Sequence, residues 1–381
     1  MTISLGFLST YPPTQCGIAT FSASLVEALL AIGERVSIVS IVDAKNAEQP
    51  REVVHQWVRE QDGGAAVAAS VLNRHDIAVI EHEFGIFGGV DGVHVLDVLR
   101  ALTVPAITVM HTVLVTPTSS QRAIVEALLE GSTQVVVMTQ AARQRLIDHY
   151  AADPTRIRVI PHGAPDAGRF AAPSLIPTFK AQPVVLTWGL LGPGKGIEWG
   201  IEAMALLKDF HPMPRYRIVG ETHPKVVERE GESYRTKLRG LVQQRRLGGD
   251  VDFDARYIET PELFRIANSA DIVLLPYDSK EQVTSGVLVE AVTAGKPVIS
   301  TGFPHAVELL SSGAGIIVDR QDPTAIANAI RRILTEPGLS KHMTAEALRI
   351  APDLLWPAVA SQYRDLASET AGSRAGFAVS A

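Results

Sequence analysis

The sequence predicts an α/β protein made of two doubly wound parallel-sheet domains facing a central cleft. Short β-branched runs alternate with longer amphipathic stretches along most of the chain. The runs are apolar on both faces, as parallel strands covered by helices must be. The pattern halts once, in a Pro-, Gly- and Ala-rich stretch at residues 161–177, and then restarts. A length of 381 residues accommodates two domains of ordinary size.

Taken in order, the predicted strands of the first half are residues 3–8, 36–42, 77–81, 106–110, 134–138 and 158–160. Between the first two, Phe21, Leu25, Ala28, Leu29 and Ile32 recur at helical spacing, and Gly33 ends the helix. In the second half the predicted strands are 184–188, 216–219, 251–253, 272–275, 298–300 and 315–318, with helices at 287–294 and 323–334. A last helical stretch runs from Trp356 to about Ala367, and the small polar residues after it read as a disordered tail. The expected division is domains at 1–165 and 177–351, a linker at 166–176, a helix at 352–367 crossing back to the first domain, and a tail at 368–381.

Composition narrows the function. With 46% hydrophobic and 20% charged residues, a packed core is expected and wholesale disorder is excluded. Net charge is -6, which argues against a dedicated nucleic-acid binder but leaves room for a local phosphate site. The single cysteine, Cys16, rules out a disulfide framework or a cysteine zinc site. No apolar run approaches the roughly 20 residues that span a bilayer. The N-terminus lacks a basic region before its short apolar run, so it reads as a first strand, and a cytoplasmic location is expected. The stretch at 141–150 carries two arginines but falls short of a basic membrane-surface helix, so membrane association is not indicated.

In open α/β sheets ligands bind beyond the carboxyl ends of the strands, and the unusual residues follow strands here. After the first strand, Gly17 and Ile18 open a helix where backbone N–H groups can meet an anion or a sugar hydroxyl; an ordinary strand–helix turn is the alternative. After the third come His82, Glu83 and Gly85, then flexible glycines. No second histidine completes a His-Glu-x-x-His site, so this loop is either a sugar-contacting loop or the seat of a structural histidine. His111 ends another strand and is a catalytic candidate. The second domain opens with a glycine-rich loop carrying Gly189, Gly194 and Lys195. It nearly fits a P-loop, but Gly196 stands where the Mg²⁺-binding hydroxyl belongs, so phosphate binding without a required metal is the better inference than ATP-dependent phosphoryl transfer. His223 follows a further strand. Asp252 and Asp254 match a D-x-D metal pattern, a short match with no other acidic cluster beside it. Finally Thr284, Ser285 and Gly286 open an apolar helix whose N-terminus suits an anion, and Glu290 lies one turn inside, where a carboxylate can accept from vicinal hydroxyls.

With these segments in place, the chain resembles the family-4 retaining glycosyltransferases of the GT-B fold over about residues 1–367. It is most similar to a bacterial and archaeal subgroup with the motifs YPPxxCGIAxF, HExGIFGG, GETHP and QxTSG, found here at 11–21, 82–89, 220–224 and 282–286. The resemblance implies two Rossmann-like domains, a nucleotide-sugar donor mainly on the second, a carbohydrate acceptor mainly on the first, and metal-independent transfer with retention. Lys195 and the backbone at Thr284, Ser285, Gly286 and Val287, with Gly189 and Gly194 beside them, would hold the diphosphate. Glu290 would hold the ribose, His111 would meet the donor sugar, and Gly17, Ile18, His82, Glu83 and Gly85 would face the acceptor. By analogy the donor is GDP-mannose, making an α-mannosyltransferase, with UDP-glucose or UDP-N-acetylglucosamine as the alternative. Two departures stand out. The first of the family's two glutamates is Gln282, with Glu281 adjacent, and the Arg expected in the lysine loop is Leu190. His223 or Arg256 would replace that cation. A non-catalytic nucleotide-sugar binder is the remaining reading, and the oligomeric state is not legible.

Overall fold

The computed structural model describes residues 2–170 and 182–378. Two compact units emerge: the chain through Gly163 together with the chain from Trp356 onward, and Ala164–Leu355.

The first unit holds a seven-stranded sheet of order β3-β2-β1-β4-β5-β6-β7. Its strands are β1 (Ser4–Ser9), β2 (Arg35–Val42), β3 (Val53–Val58), β4 (Ile77–His82), β5 (Ala106–Met110), β6 (Gln134–Val137) and β7 (Ile157–Val159). All pairings are parallel. The second unit holds a six-stranded sheet of order β10-β9-β8-β11-β12-β13, again parallel. These strands are β8 (Val184–Trp188), β9 (Arg215–Val219), β10 (Val251–Asp254), β11 (Ile272–Leu275), β12 (Val298–Thr301) and β13 (Gly315–Val318).

Strand order reverses between β1 and β4 in one sheet and between β8 and β11 in the other. Each sheet therefore has a crevice at its carboxyl edge at that point.

Burial explains the elements. β4, β5 and β11 are buried at every residue; β11 is an unbroken apolar run, as is β4 up to Glu81. Edge strand β3 is the exception and was not foreseen. His55 and Gln56 interrupt its apolar pattern, and the Gln56 side chain clamps the Asn46 backbone at 2.7 and 2.8 Å. A strand paired on one side needs fewer apolar residues, so periodicity misses it.

The C-terminal helix, Trp356–Ala378, returns to the first unit and packs on the helix Gly17–Ala31. Trp356, Val359, Tyr363 and Leu366 join Phe7, Phe21 and Leu25 in one core. The helix begins at Trp356 rather than at 352, because residues up to Leu354 belong to a preceding helix of the second unit. It also runs past Ser368, correcting the expected disorder: Arg158 pairs with Glu369 at 2.8 Å and Thr370 is buried. Of the expected linker, residues 167–170 form a short 3-10 turn; 171–176 lie outside the described residues, as do 379–381 of the tail.

In the second unit, core residues cover both sheet faces. Ile197, Tyr216, Leu238 and Ile330 form one cluster, and Leu186, Val273, Leu288 and Phe303 the other. Among the described residues no helix is long and apolar enough to cross a membrane.

Candidate active site

In the first unit the loops after β1 and β4 rise from the reversal point. Cys16 caps the helix there, its Sγ accepting from the Ala19 N–H at 3.4 Å. Gly17 is exposed, a Cβ there would touch nothing, and Ile18 beside it is half-buried. This helix start is open ground for a ligand.

β4 ends in Glu81 and His82, both fully buried. The His82 ring stacks near Phe87, with centroids 6.1 Å apart, and neither ring nitrogen has a partner among the described residues. Burial pushes its pKa down to about 3, so it is neutral. His82 is therefore a packing residue here, against the expected acceptor contact; the fully covered strand carries it inside. Glu83 is half-buried and accepts from the Thr112 hydroxyl at 2.5 Å, tying the end of β4 to the end of β5. Gly85 is exposed, and its carbonyl accepts from Arg59 at 3.3 Å.

His111 follows β5, and its N–H donates to the His82 carbonyl at 3.1 Å. Its Nε2 lies 2.7 Å from Glu81 Oε2, and its ring meets Phe21 edge-on at 4.8 Å. Phe21 also contacts His162 and Trp356. Burial lowers His162 to about 4. Glu81, His162 and Trp356 were not foreseen around His111. For Glu81 one signal existed, a carboxylate closing an apolar strand.

In the second unit three loops are braced together beyond β8, β9 and β11. Leu191 N–H donates to the Glu221 carbonyl, and His223 N–H to the Leu191 carbonyl, both at 2.8 Å. Asp278 N–H donates to the Gly194 carbonyl at 3.0 Å, and the Trp199 indole to the Asp278 carboxylate at 3.1 Å. Gly189 and Gly220 both have positive φ, and a Cβ on Gly220 would come 2.1 Å from the Gly189 carbonyl oxygen. The close approach of these two loops thus requires glycine.

Lys195 is half-buried, with Nζ 4.3 Å above the Tyr277 ring. His223 caps the helix Pro224–Glu230 through Nδ1, which accepts from the Lys225 N–H at 3.1 Å. Burial lowers its pKa, and the charges of Lys225, Lys195 and Arg229 lower it further. The loops after β8 and β9 thus bring Lys195, Lys225 and Arg229 within electrostatic range of His223. Arg256 does not join them. It binds Asp254 at 2.6 Å and Glu262 at 3.0 Å, so its charge is already met, against its expected role as replacement for the missing Arg. The D-x-D carboxylates are likewise engaged, Asp252 by Arg215 and Arg217, and Asp254 by Arg256.

Beyond β11, Ser285 caps the helix Gly286–Thr293 and accepts from Leu288 N–H at 3.3 Å. The His305 Nδ1 accepts from Ser285 N–H at 2.9 Å, and Thr284 Oγ1 is buried without a partner among the described residues. Gln282 is half-buried and donates to the Thr284 carbonyl at 2.9 Å, whereas Glu281 is exposed. Glu290 accepts from the Trp188 indole at 3.0 Å through Oε2. Burial pushes its pKa up to about 7, and the indole bond opposes that rise. Trp188 as the partner of Glu290 was not foreseen.

Residues 16–167 match the family Glycosyltransferase Family 4, and residues 175–349 match Glycosyl transferases group 1. The chain belongs to the glycosyltransferases. It is 30% identical over 267 residues to the D-inositol 3-phosphate glycosyltransferase of Corynebacterium glutamicum (strain R), a match covering 66% of this chain and 61% of that protein. The chain thus spans about three fifths of the curated relatives it matches first. Its fold resembles that of Anabaena HepE in complex with UDP and glucose, at a TM-score of 0.78 and 18% identity, over 96% of this chain and all of that one. It also resembles sucrose-phosphate synthase from Thermosynechococcus elongatus, at a TM-score of 0.74 and 20% identity, over 99% of this chain and 100% of that one. At these identities the likeness concerns the fold, which is GT-B, with two Rossmann-like parallel-sheet units.

Proposed function

We propose that this glycosyltransferase moves a hexose from a nucleotide sugar to a hydroxyl of a sugar or cyclic polyol, with retention and without a required metal. One observation carries the reading. Lys195 lies over Tyr277, on a loop whose Gly194 carbonyl accepts from Asp278 N–H in the loop leading to the capped helix at Gly286, and within electrostatic range of His223, with Glu290 one turn inside that helix. A nucleoside diphosphate needs this pairing: cations and free N–H groups for phosphate, and a carboxylate for a vicinal diol.

In this reading Lys195 and the N–H groups from Gly286 and Val287 stabilise the departing diphosphate, and Glu290 accepts from the ribose. The acceptor oxygen bonds to the anomeric carbon as the bond to the phosphate oxygen breaks. The acceptor proton passes to that same oxygen, so no carboxylate base is needed. His111 meets the donor sugar. Gly17, Ile18, Glu83 and Gly85 offer the acceptor ground, for which the inositol phosphate named in the curated relatives is one model. GDP-mannose is the donor expected from the resemblance. A second reading, UDP-glucose, is favoured by the UDP and UDP-glucose complexes of HepE.

The test is a metal-free panel of thermal shift and sugar release with GDP-mannose, UDP-glucose, UDP-N-acetylglucosamine, ADP-glucose and ATP. A shift with one sugar nucleotide and its bare diphosphate, with slow release of the sugar, supports transfer and names the base. Binding without release favours a non-catalytic binder. A response to ATP with Mg²⁺ alone overturns the reading.

A further inference from the structure

Glu81 is a buried carboxyl that the transfer reading leaves unused. It is fully buried at the end of β4, and among the described residues only one of its oxygens has a partner. Oε2 meets His111 Nε2 at 2.7 Å, while Oε1 is buried with no hydrogen bond. The titratable groups around the pair come from three elements and bring no compensating charge. His82, next to Glu81 on β4, and His162, beyond β7, are held neutral by burial. Tyr363 on the C-terminal helix keeps its proton, because burial and the nearby Glu81 charge push its pKa far up, and its hydroxyl is buried without a partner among the described residues.

A carboxylate in such surroundings is costly unless a neighbour neutralises it. His111 is the group in contact with it. A pair of zero net charge holds two protons. One lies between Oε2 and Nε2; the other belongs on Nδ1 rather than on Oε1, which is buried with no acceptor for it among the described residues. Nδ1 has no partner among the described residues, and the ring keeps slight exposure at the carboxyl edge.

We propose that Glu81 is a positioning residue that sets the proton of His111, sharing one between Oε2 and Nε2 and so keeping Nδ1–H as the donor offered to a sugar hydroxyl. Left alone in water, imidazole carries no such bias toward Nδ1–H, so the carboxyl decides whether Nδ1 donates or accepts. The role at the sugar rests on the transfer reading, whereas the protonation pattern does not.

The experiment labels the imidazole nitrogens with ¹⁵N and reads the His111 shifts in the free protein near neutral pH, in the unaltered chain and in Glu81→Gln and Glu81→Leu. An amide can donate to Nε2, so the Gln variant should keep Nδ1 protonated, while the Leu variant should lose that preference. In sugar release from GDP-mannose and from UDP-glucose, Glu81→Leu should lower kcat by roughly a hundred-fold with KM little changed, as for loss of one aligned donor, and Glu81→Gln should restore most of it. A bare Nδ1 in the unaltered chain overturns the proposal. So does a folded Leu variant with unchanged nitrogen shifts and kcat. If neither sugar nucleotide turns over, the shifts of the unaltered and Gln proteins still decide it, and only the transfer reading fails. They also decide it if the Leu variant does not fold.

Discussion

Lys195 and Glu290 are the side chains on which the proposed donor binding turns, and each can be tested singly. Lys195 holds its charge over Tyr277, near His223 and without a salt bridge among the described residues. Losing a charged hydrogen bond costs about 1.5–3 kcal/mol, so Lys195→Ala should weaken GDP or UDP binding, read by calorimetry, by about ten- to a hundred-fold. Glu290 is raised from 4.5 to about 7. Between those values the native chain holds a proton that the unfolded chain releases, so this group's contribution to stability falls as pH rises from 4.5 to about 7. His82 and His162, lowered by burial, act in the opposite sense: their contribution is lost as pH falls below 6.5. The diagnostic is therefore a difference. Melting curves of Glu290→Gln should lack part of the decline toward neutral pH that the unaltered protein shows. Trp188→Phe removes the bond that favours the ionised form, so it should move that decline to higher pH.

At the scale of elements, the proposed donor edge depends on how closely three loops approach. Gly196 has φ +63°, and a Cβ there would come 1.8 Å from the Pro276 carbonyl oxygen. Gly196→Ala should cost about 1–3 kcal/mol in strain alone and should reduce nucleotide affinity as the loop carrying Lys195 shifts; denaturant melts and calorimetry check both. The loops themselves were legible in the sequence, because Gly, Pro and a lone Lys punctuate apolar strands. Their mutual bracing was not, since the bonds from Leu191 to the loop after β9 run through the backbone and leave no residue-type signature. The same holds for edge strand β3, whose polar middle is satisfied by a clamp ten residues away.

At the scale of the molecule, the first unit is closed by chain from beyond the second. Trp356 covers Gly163, where any Cβ would lie 2.1 Å from its ring, and Val359, Tyr363 and Leu366 complete the core. Ending the chain at Leu355 should therefore cost the first unit at least about 5 kcal/mol of burial and leave the second unit's melting transition nearly unchanged, as scanning calorimetry would show.

By itself the sequence determined the α/β class, the place where the pattern restarts and, among the described residues, twelve of the thirteen strands. Those features are local: hydrophobic period, turn residues and charges at strand ends. Only the tertiary structure decided that His82 is packing, that Arg256 is engaged by carboxylates, that Trp188 holds Glu290 and that Glu81 holds His111. A side chain's burial and partner depend on which strands lie side by side. Residues 30 apart meet in the Glu81–His111 pair, and residues 102 apart in Trp188–Glu290. No local pattern records such meetings.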